Sequence, residues 1–292
     1  PSPEVAERPA VAVKVENNPV AYPLSGLDEA EVVFEELVEG GLTRFMAIYH
    51  CTDAAKAGPI RSARMVDPAI MSPYTQILAA AGGNDAVRQA LDDAGVVLID
   101  EEGSTNGAYE RVPRDGLPAE HTLYGDVAQL REAGAKEYED TPTEDLFKFG
   151  DLEGRARDAR SITLNFPSVT VTYEWDGDGW ARSDNGQPHE TEDGDQIVVD
   201  NVIIEEHTIN NSEIQDVTGA PSPEIEDVTG SGRAILFRDK KAIEGRWVRK
   251  SEKERVVFET DEGDEMVLAK GTTWIHLLPD NKGDVKGSFS YE

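Results

Sequence analysis

Three arginines between Glu39 and Asp67 are the best candidates for chemistry in this chain, because they cluster inside a sequence that is otherwise strongly acidic. Arg44 lies in EGGLTRFMAIYH, and Arg61 and Arg64 lie in GPIRSAR. A guanidinium is a rigid, permanently charged fork of N–H donors that matches a carboxylate or phosphate with two parallel hydrogen bonds. If a helix opens near Ser62, its hydroxyl caps that helix, and the first backbone N–H groups face the same small volume as the guanidiniums. The cluster is therefore expected to hold an anionic ligand, with Asp67 beside it. The alternative for each arginine is an internal ion pair with Asp67, Glu35 or Glu39. His121 and Tyr124, in EHTLYGD, add an imidazole and a phenolic donor. Both are expected at the site, as ligand contacts or with His121 or Asp67 carrying a proton; a satisfied loop histidine is the plainer alternative. His50 and Cys51 are adjacent on a strand, point to opposite faces, and so do not share a site. No Ser-x-x-Lys, Gly-x-Ser-x-Gly, His-Glu-x-x-His or P-loop pattern occurs. The sequence thus leaves catalysis open, names no catalytic residue and implies no cofactor.

Several elements must position these residues. Gly40-Gly41 reads as a tight turn, and Leu42–His50 as a strand whose alternation puts Arg44 on the side of Met46, Ile48 and His50. Ala10–Val15 reads as a short buried strand ended by Asn17-Asn18-Pro19. Val32–Val38 fits either a helical stripe or the first arm of a hairpin into Leu42–His50. Pro68 and Pro73 interrupt any helix between Val66 and Ala81. A helix over Ala86–Ala94, capped by Asn84 or Asp85, precedes a strand at Val96–Ile99. Glu101–Asp126 reads as loop, Val127–Ala133 as a short helix, and Thr143-Glu144-Asp145 as a helix signal within a charged crossover. From Ile162 onward the texture is β-branched and alternating, with Asp-Gly, Asn-Gly and Glu-Gly turns. Asn210–Asp227 reads as an exposed acidic excursion, and Gly230-Ser231-Gly232 as a turn, since no Lys-Ser/Thr follows. The expected fold is a two-domain α+β chain. A disordered linker (1–9) leads to an N-terminal α/β domain (10–150) with the arginine cluster, then to a β-rich C-terminal domain (161–292) expected to fold alone.

Composition narrows the partners. Of 292 residues, 58 are acidic and 28 basic, and a net charge of −30 excludes a general nucleic-acid binder. Asp176-Gly177-Asp178-Gly179 fails the calcium-loop pattern, with Trp180 where an oxygen ligand is needed, so no metal is expected. Cys51 is the single cysteine, which rules out an intrachain disulfide and a cysteine-based zinc site. No apolar run reaches the length of a membrane span. His189 and Asn201 are expected to serve turn and core hydrogen bonds. The four tryptophans, Trp175, Trp180, Trp247 and Trp274, are expected to pack in cores and hairpins.

The runs RPAVAVKVENNPVAYPLSGLDEAEVVFEELVEGGLTRFMAIY, AGPIRSAR and HTLYGD, then VTYEWDGDGWARSDNGQPHETEDGDQIVVDNVII, GSGRAILF and KGTTWIHLLP, resemble the YerB-like bacterial lipoproteins. The resemblance runs from Arg8 to about Pro279; EGGLTRF and GPIRSAR are its most specific pieces, and the match in the β domain is diffuse. It implies an α/β domain followed by a β-rich one, in a secreted protein tied to the membrane only through a lipid on an N-terminal cysteine, removed here upstream of Pro1. Where that family often reads Pro-His-Asn-Leu-Tyr, this chain has Ala119-Glu120-His121-Thr122-Leu123-Tyr124, so a role of the asparagine does not carry over. The resemblance supplies no reaction. Two readings follow. In the first, an extracytoplasmic, envelope-associated binding or scaffold protein holds an anionic small molecule or polymer segment in its N-terminal domain, and the β domain docks a possible protein partner. In the alternative, a hydrolase or transferase acts on a phosphorylated or glycan envelope substrate, and the arginines steady developing negative charge.

Overall fold

The computed structural model describes residues 3–104, 107–142, 146–152, 154–215 and 219–292. It divides into two compact units that interleave along the chain: Pro1–Val33, Arg44–Glu144 and Thr191–Asp193 form the first, and Phe34–Thr43, Asp145–Glu190 and Gly194–Glu292 the second.

The first unit is built on β1 (Val11–Glu16), in which every residue is buried. β2 (Val32–Leu37), which belongs to the second unit from Phe34 onward, and β3 (Thr43–Tyr49) flank the turn Glu39–Gly41, where Gly40 and Gly41 both take positive φ, which resolves the ambiguity over residues 32–38 in favour of strand. β3 runs antiparallel to β1, from Val11↔Tyr49 to Glu16↔Arg44. On the other side, β4 (Ile77–Ala79) lies parallel to β1, and β5 (Val97–Ile99) parallel to β4. A short first helix, α1 (Pro3–Ala6), stands where composition suggests a disordered linker; beyond it Arg8 ties the chain to His50 O (2.7 Å) and Asp53 (2.7 Å). Then come α2 (Asp67–Met71), α3 (Asp85–Asp93) and α4 (Val127–Gly134). Asn84 caps α3 by accepting from Val87 N–H, and Asp126 caps α4 by accepting from Gln129 N–H. The parallel run β1–β4–β5, with α3 crossing between its last two strands, carries the α/β character in part. The helices are few and short, however, and the chain as a whole is strand-rich. Within the presumed loop, β6 (Tyr109–Arg111) and β7 (Leu123–Gly125) pair antiparallel.

The strands of the second unit fall mainly in two sheets. β8 (Ser161–Asn165), β9 (Thr170–Trp175) and β10 (Trp180–Asp184) form an antiparallel meander. β11 (Asn201–His207) heads the other sheet, and β12 (Ile209–Gln215) and β13 (Pro221–Ile225) form a hairpin where an irregular excursion is expected. β14 (Gly230–Arg238) and β15 (Lys241–Arg249) are the longest pair, followed by β16 (Val257–Thr260). β17 (Thr273–Pro279) lies parallel to β11, and β18 (Ser288–Tyr291) closes the meander against β8. Gly230-Ser231-Gly232 therefore opens a strand instead of making a turn: Gly232 faces Trp247 in register, and a Cβ there would run into the indole. Trp180 packs edge-on against Trp175 (5.4 Å) and Phe237 (5.9 Å), as expected for core tryptophans. The helix signal at Thr143-Glu144-Asp145 falls outside the described residues.

Candidate functional site

β1 carries two charges that its burial should forbid. Lys14 and Glu16 stand two residues apart, share one face of the strand, and are 0% and 2% exposed. Each survives because it is paired. Lys14 Nζ lies 2.7 Å from Asp67 Oδ1, and Asp67 Oδ2 accepts the Arg64 backbone N–H at 2.7 Å. The two oxygens of Glu16 lie 3.0 and 2.8 Å from His121 Nδ1. Arg44 is the cross-strand partner of Glu16 in the β1–β3 ladder, so the two side chains share that face as well.

The GPIRSAR segment reaches this face by a route that the sequence reading misjudges. Residues 60–63 run extended beside the end of β1, with Arg61 N–H on Lys14 O (2.9 Å), Glu16 N–H on Pro59 O (3.0 Å) and Ala63 N–H on Gly82 O (2.9 Å). Sheet-like bonds thus occupy the N–H groups expected to open a helix. Ser62 Oγ donates to Ala81 O (3.2 Å) instead of capping, and the helix starts only at Asp67. Gly58 adopts φ +144°, and a Cβ there would meet Ile60 N and Leu123 O. That close approach lets Ile60 N–H donate to Leu123 O (2.6 Å) and joins GPIRSAR to the strand beside His121.

Two of the three guanidiniums meet on one carbonyl, and the third reaches another. Arg61 Nη1 donates to Glu120 O at 2.8 Å, in the turn that carries His121. Arg44 Nη1 and Arg64 Nη1 both donate to Ser62 O, at 2.8 and 3.4 Å, and Arg64 also reaches Ala63 O at 2.9 Å. Burial pushes the Glu16 carboxyl above its ordinary range, against the pull of the His121 hydrogen bond and the charges of Arg61 and Arg44. Among these side chains, four cations (Lys14, Arg44, Arg61, Arg64) stand with two carboxylates (Glu16, Asp67), a local positive excess in an acidic protein. Asp67, expected as a ligand contact, has both oxygens engaged and is 0% exposed, so it positions Lys14 and Arg64. Tyr124 is buried; its ring lies 4.3 Å under Lys56 Nζ, and its hydroxyl has no aligned hydrogen-bond partner among the described residues. Burial raises the Tyr124 phenol, and the Arg114 guanidinium opposes that. Sequence reasoning overlooks Lys14 and Glu16. Their signal is present, two charges in alternation within the apolar run AVAVKVE, but it was absorbed into a buried strand.

The second unit contains a separate buried polar network. Arg182 donates to Asp184 Oδ1 (2.7 Å), Tyr173 Oη (3.0 Å) and His189 Nδ1 (3.0 Å) and pairs with Glu35 Oε2 (3.0 Å). His276 joins Glu35 through Nδ1 (2.9 Å) and Tyr173 through Nε2 (3.0 Å). Arg182, Glu35, His189, His276 and Tyr173 are all fully buried. His189, expected to serve core hydrogen bonding, does so here. Asn201 likewise donates to Ala269 O (2.9 Å) and accepts from Ala269 N–H (2.8 Å).

Comparison with known proteins finds a family match in each half. Residues 1–140 match the N-terminal domain, and residues 162–275 the C-terminal domain, of a family described as "Protein of unknown function (DUF3048)". The chain is 26% identical to "Putative lipoprotein YerB" of Bacillus subtilis (strain 168), over 95% of this chain and 83% of that protein. Its fold is similar to the crystal structure of the YerB protein from Bacillus subtilis, with a TM-score of 0.80 and 25% identity, covering 99% of this chain and 96% of the other.

Proposed function

We propose, for a chain that belongs to the DUF3048 family, that it is an extracytoplasmic, envelope-associated binding protein whose N-terminal unit holds an anionic ligand between Arg44, Arg61, Arg64 and His121. The carrying observation is convergence: Arg44 and Arg64 meet on one carbonyl, while Arg44, Arg61 and His121 surround the single carboxylate of Glu16. A buried carboxylate ringed by more positive charge than it neutralises attracts a second anion from solvent. The place at the envelope, with a lipid anchor, is supported by the name of the Bacillus relative, a lipoprotein. Arg61 is the residue to test, because among the described residues its guanidinium makes a single hydrogen bond, to the Glu120 carbonyl, while its charge acts on Glu16. In calorimetry with inorganic pyrophosphate as the probe, Arg61→Ala should weaken binding by about 1.5–3 kcal/mol. Equal affinity in the variant and the parent would refute the assignment, as would a parent that binds no pyrophosphate.

One observation favours the hydrolase or transferase alternative. A carboxylate on His121 Nδ1 fixes the imidazole tautomer and leaves Nε2 to exchange a proton, the arrangement that a general base requires. Asp67, with both oxygens engaged, has no part in proton transfer under that reading.

A further inference from the structure

We infer that a cavity of about 690 Å³ in the second unit, walled by the start of β14 and the loop before it, is a binding site for a polyhydroxylated ligand of the saccharide class. The volume lies within the range of small-molecule sites. The chemistry of the wall disfavours hydrophobic, anionic and metal-ion ligands in turn. Trp247 is the one large apolar side chain in the lining, so a hydrophobic ligand finds little to contact. Two ion pairs are internal to the wall, Arg233 with Glu206 (3.5 Å) and Lys282 with Asp280 (2.7 Å), and Glu226 and Asp227 add further negative charge, which repels an anion. Among the described residues no three His, Cys, Asp or Glu side chains come close enough together to hold a metal ion. What remains complementary is a ligand with many O–H donors and no net negative charge.

The wall is also built to accept such donors in fixed positions. Asp227 Oδ1 takes both the N–H (2.7 Å) and the hydroxyl (2.6 Å) of Thr229, which keeps the carboxylate ionised and leaves Oδ2 as an acceptor. Ser231, exposed at the start of β14, also lines the wall. The aromatic side is rigid: Trp247 donates its indole N–H to Glu206 O (3.0 Å) and stacks on His207 (4.6 Å between centroids, 26° between planes). Gly232 is what permits this, since a side chain there would displace the indole. A wall fixed before binding spares the ligand much of the ordering cost.

The test is amide and indole NMR of the full chain titrated with the neutral trimer of N-acetylglucosamine and, separately, with the cationic trimer of glucosamine. The neutral trimer should give saturable shifts confined to Thr229–Gly232 and the Trp247 indole. Ser231→Tyr, which fills the cavity from an exposed strand position, should weaken them at least tenfold while keeping dispersed amides elsewhere. Arg61→Ala should leave them unchanged, because that site lies in the other unit. Binding of the glucosamine trimer alone would overturn the proposal in favour of simple charge attraction. Shifts scattered over the acidic surface, or equal shifts in Ser231→Tyr, would overturn it as well.

Discussion

Asp67 serves the proposed anion site by being unavailable to it. Its carboxylate is the counter-charge of Lys14, with both side chains at zero exposure, and its second oxygen fixes the backbone at Arg64. Such a pair gains little over apolar packing of the same shape, but stranding one member leaves a buried charge in a low-dielectric setting. Asp67→Ala should therefore destabilise the protein by about 3–5 kcal/mol. Removing Lys14 as well, in Lys14→Met with Asp67→Leu, should cost less than the sum of the two single changes. Urea unfolding of Asp67→Ala, Lys14→Met, Asp67→Leu and the double variant tests this; a loss below about 1 kcal/mol in Asp67→Ala would mean that the Lys14 charge is satisfied without it. Glu16 sits differently. It is equally buried but held by an imidazole and two neighbouring guanidiniums, so its ionisation depends on groups that a ligand would also touch.

At the scale of elements, the strands were readable and their neighbours less so. Alternation located β3 and the face that carries Arg44, and the Asn84 cap for α3 and the short-helix reading of Val127–Ala133 for α4 came within a residue or two. The extended course of residues 60–63 was hidden, because Ser62 caps a helix as readily as it lies beside a strand, and only the long-range bonds to Lys14 and Gly82 decide between the two. Glycine positions show the same limit: Gly58 and Gly232 look like turn punctuation, yet one admits the Leu123 carbonyl and the other an indole ring. The buried network was equally invisible, since β2, β9, β10 and β17 supply Glu35, Tyr173, Arg182 with Asp184, and His276 from distant parts of the chain. It carries a pH dependence whose sign is fixed. Burial holds His189 and His276 below their ordinary value of 6.5, despite the carboxylates beside them. Burial alone would raise Glu35, but Arg182 and the His276 hydrogen bond outweigh it and keep that carboxyl below its usual range. Groups whose folded values are depressed lend stability that is complete above the unfolded value and lost as pH falls through the folded one. The urea midpoint should therefore begin to drop below about pH 6.5 and drop further below about 4.5, with His276→Gln flattening the first decline. A midpoint level between about pH 7 and pH 5 would show that neither imidazole gains a proton on unfolding.

For the whole molecule, the question is which stretches of chain make an autonomous body. Composition places a boundary near residue 160; the family matches cover residues 1–140 and 162–275. In the compact units Phe34–Thr43 belongs with the second one. The reason is electrostatic as much as topological: Glu35 supplies the carboxylate that Arg182 and His276 require, and Thr43 Oγ1 donates to the same side chain at 2.7 Å. A fragment of residues 161–292 keeps every strand of the meander but takes the Glu35 carboxylate from the fully buried Arg182, which keeps its pair with Asp184, and from His276 Nδ1. A buried cation missing half its counter-charge costs several kcal/mol, a large part of the stability of an ordinary domain. The fragment expected from sequence to fold alone should therefore show poorly dispersed amide signals. Adding a peptide of residues 32–43 in trans should restore dispersion, and the same peptide with Glu35→Gln should not. Full dispersion of 161–292 without the peptide would refute this, and would mean that Asp184 and His189 suffice to hold Arg182.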